Sequence, residues 1–143
     1  MTLSVEMIKT FGEFELRKAD ELECLAGGLT AAEAIRQSIE WSLGAYKVTN
    51  GPETVALWGY TPTSVLGEAC YAWLLTGPGV DKAPYAFGRL SKYVISDLLL
   101  LFPSIFVTVD PAHTRAINWL RWLGFTTRGS HGPFFKMQLD RHS

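Results

Sequence analysis

Cysteine is scarce in this chain. Cys24 and Cys70 are the only two. Two thiols do not make a disulfide framework, so a reducing compartment is the default expectation. Histidine is sparse too. His113, His131 and His142 are scattered, and no Cys/His group has zinc-ligand spacing. Long hydrophobic runs are missing. The longest apolar stretch, LLLLFPSIFVTV, is broken by Pro103 and Ser104, and it falls short of the ~20 residues a bilayer span needs. The N-terminal MTLSVEMIKTFGEF shows no basic-then-apolar signal pattern. These absences predict a soluble chain that is neither secreted nor membrane-embedded. Charge is thin as well, at 19% of residues with a formal net of −1, against ~25% charged residues in typical soluble domains. That excludes binding to nucleic acid by global positive charge. Repeats, low-complexity tracts and Pro/Gly/Ser linkers are also absent.

What is present is apolar and aromatic. In 143 residues, 48% are apolar and 13% aromatic, with five Trp. A chain of this size and content buries a real core as one domain spanning 1–143. The small net charge hides a split. Residues 1–72 carry 5 basic and 10 acidic side chains, whereas residues 73–143 carry 8 basic and 4 acidic. An asymmetry of this kind hints at a polar ligand or partner on one side. Nothing in the composition indicates an oligomeric state.

The patterning predicts a mixed succession of elements. FELR, 14–17, alternates like a short strand, and ADELECLA, 19–26, reads as a helix closed by Gly27 and Gly28. Thr30 and Glu33 make a capping-box signature for a helix with Ile35, Ile39 and Leu43 at four-residue spacing, stopped at Gly44. AYKV, 45–48, Asn50-Gly51 and TVALWGY, 54–60, form a hairpin pattern. A longer strand is expected over 66–75, LGEACYAWLL, then a loop, TGPGVDKAP, 76–84. Phe87, Leu90, Val94, Leu98 and Leu101 recur at helical spacing over 85–102. IFVTV, 105–109, reads as a strand covered on both faces. Asp110 and Pro111 are placed to start a helix running to Leu123 and stopping at Gly124. Two strands follow, near 125–128 and over 134–139. The expected class is α/β, an α+β mixed sheet with helices on both faces.

This order of elements, with FELRKADELECLAGG near the start and VDPAHTRAINWLRWLGF near the end, resembles the GNAT superfamily of N-acetyltransferases. The stretch from Phe87 to Phe125, through Arg89 and WLRWLGF, is more narrowly similar to a phage-encoded branch of small GNAT-like and internal-virion-type proteins. The resemblance implies the acyl-CoA N-acyltransferase fold, acetyl-CoA as cofactor and a host amine, on a protein or a small metabolite, as acceptor. It implies a place in the host cytoplasm or the virion. Four positions depart from the family pattern. Arg89 and Ser91 stand where the phosphate loop has glycines, Leu120 stands where a Tyr acid is usual, and His113 stands where Asn is usual.

Several residues are candidates for chemistry. Lys82, Arg89 and Ser91, with Lys92 and the Gly77-Pro78-Gly79 loop, sit at the start of a helix, where free N–H groups favour anions. The loop is equally readable as an ordinary surface turn. Glu68 within an apolar strand is a candidate general base, or a carboxylate that simply reaches solvent. Alternation puts Glu68, Cys70, Ala72 and Leu74 on one face. By resemblance, the main chain of Trp73, Leu74, Leu75 and Thr76 holds the pantetheine arm and polarises the thioester. His113, in the first turn of the last helix, is a candidate proton relay or an ordinary polar residue at a helix start. Cys70 reads as an inert buried thiol. Trp119 and Trp122 read as core, or as a partner-binding face. Two readings follow: an acetyltransferase, or a catalytically impaired GNAT-shaped protein that modulates a host enzyme or packs in the virion. They differ on whether the strands at 66–75 and 105–109 splay apart.

Overall fold

The computed structural model describes residues 3–12 and 14–141. The chain order is β1 (Ser4–Met7), α1 (Lys18–Ala26), α2 (Ala31–Trp41), β2 (Gly44–Asn50), β3 (Glu53–Pro62), β4 (Ala69–Thr76), a 3-10 turn (Pro78–Lys82), α3 (Pro84–Leu101), β5 (Ser104–Val109), α4 (Thr114–Leu123), β6 (Thr126–His131) and β7 (Phe134–Asp140). The seven strands form one sheet in the order β1-β2-β3-β4-β5-β7-β6. The β4–β5 pair is parallel and the others are antiparallel. The mixed-sheet expectation holds.

Alternation along β4 divides the core. Leu75 and Trp73 face α1 and α2, where Ile35, Ile39, Ala45 and Leu57 pack. Cys70 and Ala72 face the other way, with Leu98 of α3, Ile117 and Leu120 of α4, Ile105, Phe125 and Met137. The predicted capping box is formed: the Glu33 N–H donates to Thr30 Oγ1 at 3.2 Å, and the Thr30 N–H donates to Glu33 Oε1 at 3.1 Å.

Several expected boundaries move. FELR is not a strand. It runs extended with its Arg17 N–H bonded to the Thr76 carbonyl at 2.8 Å, and one such bond does not make a ladder. The N-terminal strand is β1, paired with β2. Gly44 does not stop a helix but opens β2; α2 ends at Trp41. The long strand begins at Ala69, so Glu68 lies in a preceding bend and is exposed. Gly67, at φ +67°, turns the chain there, and Glu68 therefore has no apolar strand around it. Leu101 is exposed, because the last turn of α3 projects beyond the sheet. β5 is covered on one face only. Ile105 and Val109 are buried, whereas Thr108 is exposed and Phe106 lies under the Lys136 ammonium at 4.2 Å. The last helix starts at Thr114, because residues 110–113 form a turn in which the Ala112 N–H donates to Asp110 Oδ1 at 3.0 Å.

Candidate active site

The decisive feature is the seam between β4 and β5. The strands pair through Ala69–Ser104, Cys70–Ile105 and Tyr71–Phe106, and the pairing ends there. Beyond it, Ala72 to Thr76 and Val107 to Val109 diverge and line a cavity of about 500 Å³.

Helix α1 lies across this fork. Its sequence Asp20-Glu21-Leu22-Glu23 puts two carboxylates three residues apart, on one helix face. Each holds one arm. Asp20, only 6% exposed, takes the Thr76 N–H and the Thr76 hydroxyl at the end of β4, at 2.5 and 2.6 Å. Glu23 Oε1 takes the Asp110 N–H just past β5, at 2.9 Å. Arg17 Nε donates to Thr76 Oγ1 at 2.7 Å and completes the bracket. A buried carboxylate is costly unless it is hydrogen-bonded, and here the bonds hold the strand ends in place.

The alternation of β4 then decides which main-chain groups are free. Leu74 is paired opposite Trp58, and Thr76 opposite Ala56. Thr76 directs its N–H to Asp20 and its carbonyl to Arg17, away from β3. Leu74, two residues earlier, directs its own N–H and carbonyl to the same outer edge. No β5 partner meets them there. The cavity does. A backbone N–H aimed into a largely apolar cavity is a donor for a ligand oxygen.

The second feature of the cavity is a His–Glu pair. His113, at the N-terminal flank of α4, places Nδ1 at 3.2 Å from Glu23 Oε2. Both residues line the cavity. Burial pushes the Glu23 carboxyl above its ordinary value of 4.5, while the bonds from His113 and the Asp110 N–H work in the opposite direction. A carboxylate accepting from Nδ1–H leaves Nε2 as the basic nitrogen of the ring. Burial pushes the Cys24 and Cys70 thiols up to about 11.

The predicted site residues are only partly brought together. Trp73, Leu74, Leu75, Thr76, Ser91 and His113 line the cavity. Ser91 bonds the Phe87 carbonyl one turn back, at 2.8 Å. Glu68, Lys82 and Arg89 do not line it, and all three are exposed. Lys82 lies 3.8 Å from Glu53. The loop glycines serve packing. A Cβ at Gly77 would stand 3.0 Å from the Phe14 ring, and one at Gly79 would stand against the Glu53 carboxylate and Val55. The cations that do line the cavity are Arg17 and Arg115, which share Asp81 Oδ1 at 3.2 and 3.0 Å. Leu120 is buried in the core and supplies no acid, and no tyrosine is among the described residues lining the cavity. Trp119 and Trp122 part company: Trp119 lines the cavity and stacks on Phe87, whereas Trp122 is 55% exposed beneath Lys92. Among the described residues no group of three or more His, Cys, Asp or Glu could hold a metal ion, and no helix is long and apolar enough to cross a membrane.

Sequence reasoning missed Glu23, Asp20 and Arg115. The Asp20-x-x-Glu23 spacing was the available signal; that each carboxylate would meet a different strand was not readable.

Solved structures of low sequence identity share this fold. AAC(6')-Ib in complex with ribostamycin and coenzyme A superposes with a TM-score of 0.71, at 15% identity, over 99% of this chain and 95% of that one. The chain has the GNAT acetyltransferase fold. A Bacillus subtilis acetyltransferase in complex with CoA gives 0.67 at 12% identity, over 97% and 99% of the two chains. The GNAT domain of S. lividans PAT gives 0.67 at 12% identity, over 88% and 79%. No protein-family model and no curated protein matches the sequence.

Proposed function

We propose that this chain is a phage-encoded acyl-CoA-dependent N-acyltransferase acting on a host amine, with acetyl-CoA the donor implied by the sequence resemblance. One observation carries the reading: the unpaired outer edge of β4, at Leu74, faces a cavity opened by the splay of β5. A pantetheine arm is a chain of amides and fits beside such an edge as a short extra strand. Two of the solved neighbours are CoA complexes, and the narrower likeness of Phe87 to Phe125 supports the phage setting.

The donor supplies an activated thioester. The Leu74 N–H donates to the thioester oxygen as charge develops there. His113 Nε2 accepts the proton that the amine loses as its nitrogen bonds to the carbonyl carbon. Glu23 holds the ring through Nδ1 and is a positioning residue. The carbon–sulfur bond breaks to release a thiolate. A thiol of this kind has a pKa near ~8.5, so water suffices as its proton source, and Leu120 costs rate without blocking the reaction. Arg115 exchanges Asp81 for the donor's phosphates, with the first turn of α3 beside them.

Calorimetric titration with acetyl-CoA and CoA tests the reading, followed by thiol release with a panel of amines. Binding in the micromolar range is expected. No binding at millimolar ligand overturns it. A second reading, a GNAT-shaped protein that acts by contact on a host enzyme or within the virion, is favoured by the use of Gly77 and Gly79 for packing. A stoichiometric host partner retained without CoA, together with no thiol release, supports that alternative.

A further inference from the structure

Helix α1 gives the cavity two unlike ends. Arg17 stands at its N-terminal flank and Gly27 just past its last turn, and both line the cavity. The helix between them is 9 residues long, about 14 Å. Both cations that line the cavity lie at the Arg17 end, because Arg115 shares Asp81 Oδ1 with Arg17. The reading above gives that end to the donor's phosphates. The Gly27 end, one turn beyond Glu23, is left for the acceptor.

The wall at the Gly27 end is apolar. Glu23 and Gly27 stand at i and i+4, so they share a helix face. The Phe134 ring of β7 stands against Gly27: a Cβ added there would lie 3.2 Å from Phe134 Cζ. Phe135 packs into the core under α3 and α4, and alternation turns Phe134 to the α1 side of the sheet. Cys24 and Leu29 complete the wall. Gly27 is exposed and Phe134 half-buried, so this end opens to solvent.

The electrostatics of this end have one sign. No Lys or Arg among the described residues lines it. The last turn of α1 holds no basic residue, and a helix C-terminus carries partial negative charge. The Glu23 carboxyl adds to that charge, whereas Asp20 is occupied by Thr76. An amine nitrogen is favoured here beside His113, with an apolar body against Phe134. A carboxylate on that body would meet negative potential with no cation to pair it, which makes its desolvation costly. A second ammonium would find no free carboxylate, since both Glu23 oxygens are engaged.

We infer that the acceptor is a primary amine with an aromatic or branched apolar body and no acidic group, seated between the last turn of α1 and the Phe134 ring. The inference rests on the acyltransferase reading above and names its acceptor class. The transfer is the step given there: the amine nitrogen bonds the acyl carbon, its proton passes to His113 and the thiolate leaves. Phe134 is a specificity-determining residue.

The test is thiol release from acetyl-CoA with phenethylamine, phenylalanine, spermidine and a lysine-containing peptide, with calorimetry of CoA binding on the same preparation. Phenylalanine is phenethylamine with a carboxylate added. Its kcat/KM should be lower by about 10²-fold or more. Phe134→Ala should raise the KM for phenethylamine by about tenfold, with kcat and CoA affinity close to wild type, and Phe134→Leu should recover part of the loss. Equal turnover of phenylalanine and phenethylamine overturns the inference. So does a preference for spermidine or the peptide, or CoA binding without turnover of phenethylamine. Each of these outcomes leaves acyl-CoA binding intact. A wild-type KM in Phe134→Ala overturns the placement of the apolar body. Absence of CoA binding overturns the reading beneath it.

Discussion

The two ends of the β4–β5 seam have opposite roles. At the closed end, Cys70 and Ile105 are fully buried, and the pair is held by ordinary ladder bonds and by packing under α3 and α4. At the open end, the same two strands give up their ladder. Asp20 and Glu23, neighbours on one turn of α1, hold one strand end each. A parallel pair is closed by default because unpaired edges are costly. Keeping it open requires replacement partners at the ends and leaves the middle, Leu74, for a ligand. Packing is concentrated at one end of the seam, and the proposed chemistry lies at the other.

The largest expected effect separates the two ends. His113→Ala should lower kcat/KM by about 10²–10⁴-fold while CoA affinity changes only a few-fold; steady-state kinetics and calorimetry on one preparation read both. Equal losses in the two would place His113 in binding rather than proton transfer. Next, Ile105→Ala at the closed end should cost about 2–5 kcal/mol of stability, measured by urea unfolding. A value under 1 kcal/mol would mean that the closed end is not the anchor. Leu74→Pro removes one N–H at a position where the ladder to β3 does not use it. It should reduce kcat by about 10²–10³-fold, with the far-ultraviolet spectrum unchanged. A variant as active as wild type would break the assignment of the open edge.

The smallest effect is the pH dependence of Glu23. Its carboxyl is raised above 4.5 in the folded protein. Between 4.5 and the raised value the folded state therefore binds more protons than the unfolded chain, and the contribution of this group is lost as pH rises through that window. Glu23→Gln should remove that slope, seen as a flatter dependence of unfolding free energy on pH just above 4.5.

Much of the architecture was legible because it depends on local periodicity. The alternation of Cys70, Ala72 and Leu74 against Trp73 and Leu75 was readable and is observed. The capping box at Thr30 was readable because both partners lie within one turn. Glu68 was misjudged because a strand boundary was placed three residues too early, and one bend exposes a carboxylate that a continued strand would have buried. Gly77 and Gly79 were readable as an anion site or as an ordinary surface turn, and the space beside them, filled by Phe14 and Glu53 from elsewhere in the sequence, was not readable.

The charge split between the halves shows the same division. The acidic first half supplies Asp20 and Glu23, and the basic second half supplies Arg115 and His113, so the count pointed to opposing groups but not to their contact. By itself the sequence determined the class of sheet, the faces of its strands and the chemical inertness expected of buried thiols. Only the tertiary structure decided that β4 and β5 part after Tyr71 and that α1 lies across the opening. Local pattern fixes which face a residue presents, but the gap between two strands is set by groups dozens of residues away that bond to their ends.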